Sequence, residues 1–138
     1  MIYPIFAMFF LTLTVLVLLF KARVMATRRK LVSPAYFLTY STNEREPETS
    51  LAMSRNFTNL FEAPVLFYVV CIAIIVTNAE NLILVGLAWA YVIARVIHSL
   101  IHTGSNNLPW RIIVYMVSWV FLTALWIGLL VSTFGAAP

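Results

Sequence analysis

A four-helix, all-α integral membrane bundle is the fold that the sequence predicts, on three observations. Of 138 residues, 62% are hydrophobic and only 10% are charged, with a mean hydropathy of +0.94; a soluble domain of this size would lack the polar residues to cover its surface. The apolar residues fall into four long runs: Ile2 to Phe20, about Asn59 to Thr77, about Leu82 to Leu100, and Ile112 to about Phe134. At about 1.5 Å per residue, each crosses roughly 30 Å of hydrocarbon. The runs do not alternate apolar with polar, as the strands of a β-barrel would. The connections are short apart from the first, so a single membrane domain fills the chain, with helices expected over about 2–26, 47–77, 79–103 and 108–134.

The first helix has no basic segment ahead of it and carries its cations behind it, so it reads as a span of the mature protein rather than a signal peptide. Lys21 and Arg23 lie at its end, where long cationic side chains reach the interface and complement the helix C-terminus. Arg23 has two readings from spacing alone: snorkelling to lipid phosphate, or turning inward to a ligand. The formal charge of +4 is unevenly spread. Lys21, Arg23, Arg28, Arg29, Lys30 and Arg45 fall in the first connection, whereas the second, near Thr77 to Asn81, carries only Glu80. The positive-inside rule therefore puts connections one and three on the cytoplasmic side and both termini on the other. No basic surface lies outside this loop, and no nucleic-acid partner is expected.

Within the first connection, Ser33-Pro34 and the aromatic group Tyr36, Phe37 and Tyr40 fit an interfacial loop with one helical turn. Glu46-Pro47-Glu48 starts the second helix, with proline in the first turn and acids at the positive end of the dipole. Arg55, Asn59 and Glu62, at i, i+4 and i+7, share one helix face just ahead of the apolar run. Pro64 leaves the carbonyl of Leu60 without its usual donor, so a kink is expected beside this stripe. Asn56-Phe57-Thr58 matches a glycosylation sequon on the wrong side of the membrane and is discounted. Cys71, alone in mid-span, makes no intrachain disulfide and reads as a packing residue.

Thr77-Asn78-Ala79-Glu80 reads as a capping box opening the third helix. That helix ends in a second stripe, Arg95, His98 and His102. Asn107-Leu108-Pro109 starts the fourth, with Arg111 and Tyr115 in its first two turns. Depth arithmetic brings the stripes together: Glu62 lies about 10 Å below Arg55, and Arg95 about 10 Å below His102. Glu62 and Arg95 are therefore expected to form a buried ion pair, either as a clamp between helices or as part of a site. With that pair set aside, Arg55, Asn59, His98, His102, Arg111 and Tyr115, with Arg23 at the rim, leave a positive surplus. Such a cluster suits an anion bearing carboxylates. No metal is expected at His98 and His102, because no thiolate or uncommitted carboxylate lies near them.

These residues resemble a known family. Arg55-x-x-x-Asn59-x-x-Glu62 and Arg95-x-x-His98, followed by Arg111 and Tyr115, are similar to the MAPEG proteins, the membrane-associated proteins in eicosanoid and glutathione metabolism. The likeness is to their microsomal glutathione transferase and prostaglandin E synthase branches and covers nearly the whole chain. The resemblance implies a homotrimer, with glutathione as cosubstrate held between subunits near the cytoplasmic face. It implies that Arg23, Arg55, Asn59, Glu62, His98, His102 and Tyr115 bind glutathione, that Arg111 stabilises the thiolate as the catalytic residue, and that Arg95 is structural. The implied activity is glutathione transfer to a lipophilic electrophile arriving from the bilayer, or a peroxidase reaction. His102 stands where the eicosanoid enzymes carry a tyrosine, and Thr58 where one of them carries an arginine. Both departures favour a xenobiotic or a lipid peroxide over an eicosanoid. The competing reading is a noncatalytic trimeric scaffold or accessory subunit.

Overall fold

The computed structural model describes residues 1–40 and 44–135. All of its regular structure is helical: α1 (Ile2–Arg28), α2 (Tyr36–Thr39), α3 (Glu48–Asn59), α4 (Ala63–Val76), α5 (Leu82–Thr103) and α6 (Leu108–Gly135). Four helical stretches are long and apolar enough to cross a membrane: α1, α3 continued by α4, α5, and α6. The chain is an integral membrane protein. Residues 41–43 of the first connection and 136–138 lie outside the described residues.

The expected kink at Pro64 is a full break. Leu60, Phe61 and Glu62 leave the helix, with Glu62 at φ −94° and ψ −99°, and Pro64 sits in the first turn of a new helix, α4. Proline lacks the N–H that would bond the carbonyl of Leu60, but its ring is pre-set for a helix N-terminus, so the cheaper solution is to stop and restart. The start of α5 also differs from expectation. Thr77 bonds back to Ala73 O at 2.8 Å, and Asn81 is the N-cap, its Oδ1 accepting from Leu84 N at 2.9 Å. The capping box at 77–80 is thus displaced by an asparagine whose side chain reaches the second or third free amide directly. Asn81→Ala is expected to cost about 1 kcal/mol in detergent unfolding; an unchanged midpoint would show that α5 holds its first turn without the cap.

The core runs along the inner faces of the bundle. Met8, Phe67, Val70, Ile74, Ala88, Tyr91 and Leu125 are fully buried, and the Phe67 and Tyr91 rings stack at 4.5 Å between centroids. Between helices in lipid, apolar contact alone is a weak adhesive, and close packing takes over. Small residues therefore stand where helices approach: Ala63, Ala88 and Ala94 are buried, and a Cβ at Gly128 of α6 would lie 2.5 Å from Leu84 Cδ2 of α5.

α5 packs along α6 and also against α3 and α1. The N-terminal amine lies 2.7 Å from Glu80 at one end of the bundle. The opposite end gathers the C-termini of α1 and α5 with the N-termini of α3 and α6, and it holds the polar residues described next.

Candidate functional site

α5 supplies the floor of the polar end. Arg95, His98, Ser99 and His102 are all buried on the face it turns to α3 and α6. Arg95, fully buried, donates through Nη2 to Asn59 O at 3.0 Å and to Asn59 Oδ1. The break after Asn59 explains this partner. The last turn of α3 ends in tight main-chain bonds to residues three back, the one from Glu62 N to Asn59 O stretched to 3.4 Å, and a guanidinium placed there gives that carbonyl a second donor and complements the negative end of the α3 dipole.

The expected Glu62–Arg95 ion pair does not form: neither ion pair among the described residues includes them. Depth arithmetic assumed a continuous helix from 55 to 62, whereas the three-residue break leaves Glu62 exposed. Asn59 stands between the two charges, its Oδ1 toward Arg95 and its Nδ2 3.5 Å from Glu62 Oε2. One turn along, Ser99 Oγ donates to Asn56 Oδ1 at 3.2 Å, both residues buried. Sequence reasoning saw Asn56 only as part of a sequon; its place three residues before Asn59 was the available signal.

α6 closes the site. Arg111 is fixed twice: His98 Nδ1 lies 3.1 Å from its carbonyl oxygen, and its Nη1 donates to Asn106 Oδ1 at 2.7 Å. A carbonyl only accepts, so His98 Nδ1 is the protonated nitrogen and Nε2 is left as an acceptor. Among the described residues Nε2 is buried without a partner, as is His102 Nδ1. Tyr115 lies between two α5 side chains, its ring centroid 5.5 Å from that of His98 and 5.5 Å from the Arg95 guanidinium carbon.

Two adjoining clefts share His102 and Arg111. The inner one, about 200 Å³, is also lined by Asn59, His98, Ile112 and Tyr115. The outer one, about 230 Å³, adds Arg55, Glu48 and Asn106. The subunit therefore brings Arg55, Asn59, His98, His102, Arg111 and Tyr115 around one polar region. Glu48 and Asn106 join it without having been singled out from sequence, although Glu48 stands seven residues before Arg55 on the same helix face.

Arg23 is not among them. It lies in a separate groove between α1 and α3, with Ser54, Phe57 and Thr58, where Nη2 donates to Tyr40 at 3.1 Å and Ser54 at 3.3 Å and Nε is 3.7 Å from Glu46. The one-turn helix α2 places Phe37 under the same guanidinium, 5.2 Å from the ring centroid. Neither snorkelling nor a turn toward Arg111 describes it within the subunit; it ties α1, α2 and α3 together.

The chemistry of the donor set is that of an anion site. Two arginines flank a partly buried space, Glu48 adds one carboxylate to the outer cleft, and neutral donors and acceptors line the remainder. Among the described residues no group of three or more His, Cys, Asp or Glu side chains is placed to hold a metal. A family model described as "MAPEG family" matches residues 1–131. No curated protein and no solved structure gives a significant match.

Proposed function

The chain belongs to the MAPEG family, and from that membership together with the paired clefts we propose that it is a membrane-bound glutathione-dependent transferase or peroxidase. The observation that carries this reading is the sharing of His102 and Arg111 between two clefts, one adding Arg55 and the other Asn59, His98 and Tyr115. A small dicarboxylate thiol needs cations for its ends and a fixed positive charge at its sulfur. Arg55 takes a carboxylate, and Glu48 beside it offers a counter-charge for an amino group.

Arg111 serves the sulfur. A held guanidinium lowers the pKa of a neighbouring thiol and raises the fraction present as thiolate, the reactive form. Arginine does not give up its own proton, so its work is electrostatic and the thiol proton leaves to water through the open cleft. In transfer to an activated halide, the sulfur–carbon bond forms as the halide departs with its electron pair. The lipophilic partner arrives from the bilayer.

In this reading three subunits assemble and the site lies where they meet, with the cationic end of the bundle on the cytoplasmic side. Arg28, Arg29, Lys30 and Arg45 in one connection against Glu80 in the next support that orientation.

Purified protein in detergent is expected to conjugate a chlorinated nitroaromatic in a glutathione-dependent way and to migrate with the mass of three chains. Glutathione at a hundred times its dissociation constant should stabilise the fold by about 2.7 kcal/mol on heating. Absence of both conjugation and stabilisation would leave a noncatalytic scaffold as the better account, and a fully active monomer would remove the subunit-interface site.

A further inference from the structure

The loop between α5 and α6 does more than reverse the chain. Gly104 ends α5, and a Cβ there would lie 2.8 Å from the carbonyl oxygen of Leu100, a main-chain atom that cannot move aside without reshaping the turn. Asn106 follows in the left-handed region at φ 48°, with its amide donating to Ile101 O at 2.7 Å. Asparagine is one of the few residues with a side chain that visit this region readily. The tight backbone then aims its Oδ1 at Arg111 Nη1, 2.7 Å away.

We propose that Asn106 is a positioning residue for Arg111: its neutral carboxamide fixes the guanidinium between the two clefts without neutralising it. This rests on the glutathione reading above and adds to it a residue outside both helical stripes.

The argument is one of charge as well as geometry. A long arginine left free would spread its charge over many rotamers, and a fixed dipole or charge does most where it is already in place before the anion forms. A carboxylate at the same position would hold the guanidinium equally well, but it would cancel much of the field at the sulfur. Asn106 is the residue type that gives the hold and keeps the charge. His98 Nδ1 on the Arg111 carbonyl fixes the other end of the same residue, so main chain and side chain are restrained from different elements.

The other ionisable groups around Arg111 are Glu48 and Arg55 from α3, Arg95, His98 and His102 from α5, and Tyr115 on α6 itself. None of these groups is altered in Asn106→Gly, so a shift of thiol ionisation in that variant reports on the lost contact, whereas Asn106→Asp also adds the field of its own charge.

Two substitutions separate side chain from loop. Asn106→Gly removes the carboxamide and keeps the left-handed backbone at no steric cost. Asn106→Asp keeps shape and adds a negative charge. The full chain in detergent is titrated with glutathione, and the ultraviolet band of the bound thiolate is followed against pH, with thermal unfolding as the control for folding.

Asn106→Asp is expected to raise the midpoint of thiolate formation and to lower the thiolate fraction near neutral pH by about tenfold, the equivalent of one pKa unit. Asn106→Gly should raise the midpoint by less and lower kcat more than it changes KM. A folded Asn106→Gly protein with the wild-type midpoint would overturn the proposal and leave Asn106 as a turn residue, with the glutathione reading intact. A wild-type protein with no saturable thiolate band would overturn that reading, and this inference with it.

Discussion

Arg111→Ala should lower glutathione-dependent conjugation by about 10²–10³-fold while leaving the fold nearly as stable as the wild type. The rate effect is that of removing one pre-placed positive charge from the position where negative charge develops. The small stability effect follows from what the side chain touches. Among the described residues its hydrogen-bond partner is Asn106, in a surface loop, and the bond from His98 goes to the main-chain carbonyl, which alanine keeps. Half-buried and without an ion pair among the described residues, Arg111 fits the class of substitutions costing under about 1 kcal/mol. Arg111→Lys should recover only part of the rate, because a compact ammonium lacks the fork that reaches both Asn106 and an anion. The pH profile supplies the sign. Without the guanidinium the thiol ionises at higher pH, so the deficit of Arg111→Ala should be largest near neutrality and shrink as pH rises. A constant deficit at every pH would assign Arg111 to binding rather than to the sulfur, and no deficit would remove it from the site.

Helix positions were readable because long apolar runs state them directly, whereas the details at their ends depend on competition between local partners. Pro64 announced a disturbance, yet nothing in the residues says whether the chain bends or stops. That choice turns on what holds the end of α3, and Arg95 does so from 36 positions away, adding a donor to the weakly bonded Asn59 carbonyl. Once the helix stops, the spacing from Arg55 to Glu62 no longer keeps Glu62 on the inner face, and the expected ion pair gives way to a contact with Asn59. Thr77 and Asn81 show the same limit on a smaller scale: two capping residues stand four apart, and only the direction of the chain between α4 and α5 selects between them. The stripe on α5 needed no such information. An unbroken helix carries Arg95, His98 and His102 to one buried face by period alone, and the meeting of that face with Arg55, Asn59, Arg111 and Tyr115 followed from depth. Asn106 was not legible because its role depends on a left-handed backbone and on a side-chain direction within a four-residue turn.

The largest loss of stability is expected at Arg95, and it should be larger than the loss of its volume. The residue is fully buried, and its guanidinium holds both acceptors of Asn59 at the end of α3 while lying against the Tyr115 ring. Arg95→Ala removes the donor to Asn59 Oδ1 and leaves the Asn59 main-chain carbonyl with the long contact from Glu62 N, at 3.4 Å. Leaving a buried acceptor without its donor costs about 1–3 kcal/mol, and the gap left by the long side chain adds to it. Arg95→Met tests whether that cost is packing. If the side chain only filled space, methionine of similar length would restore most of the stability; if the α3 terminus requires a cation, Met and Ala should be about equally destabilising and Lys should lie between them and the wild type. Asn59→Ala removes only the side-chain acceptor and should cost less than Arg95→Ala. In the double variant the two losses should fall short of their sum by about 0.5–3 kcal/mol, the range for directly contacting residues. Detergent or chaotrope unfolding followed by far-ultraviolet circular dichroism gives all five values. Full additivity, or a stable Arg95→Met protein, would mean that α3 ends where it does because of Pro64 alone and that Arg95 is free for the ligand. Its Nε and Nη1, buried and without partners among the described residues, would then be the next atoms to place against the bound anion.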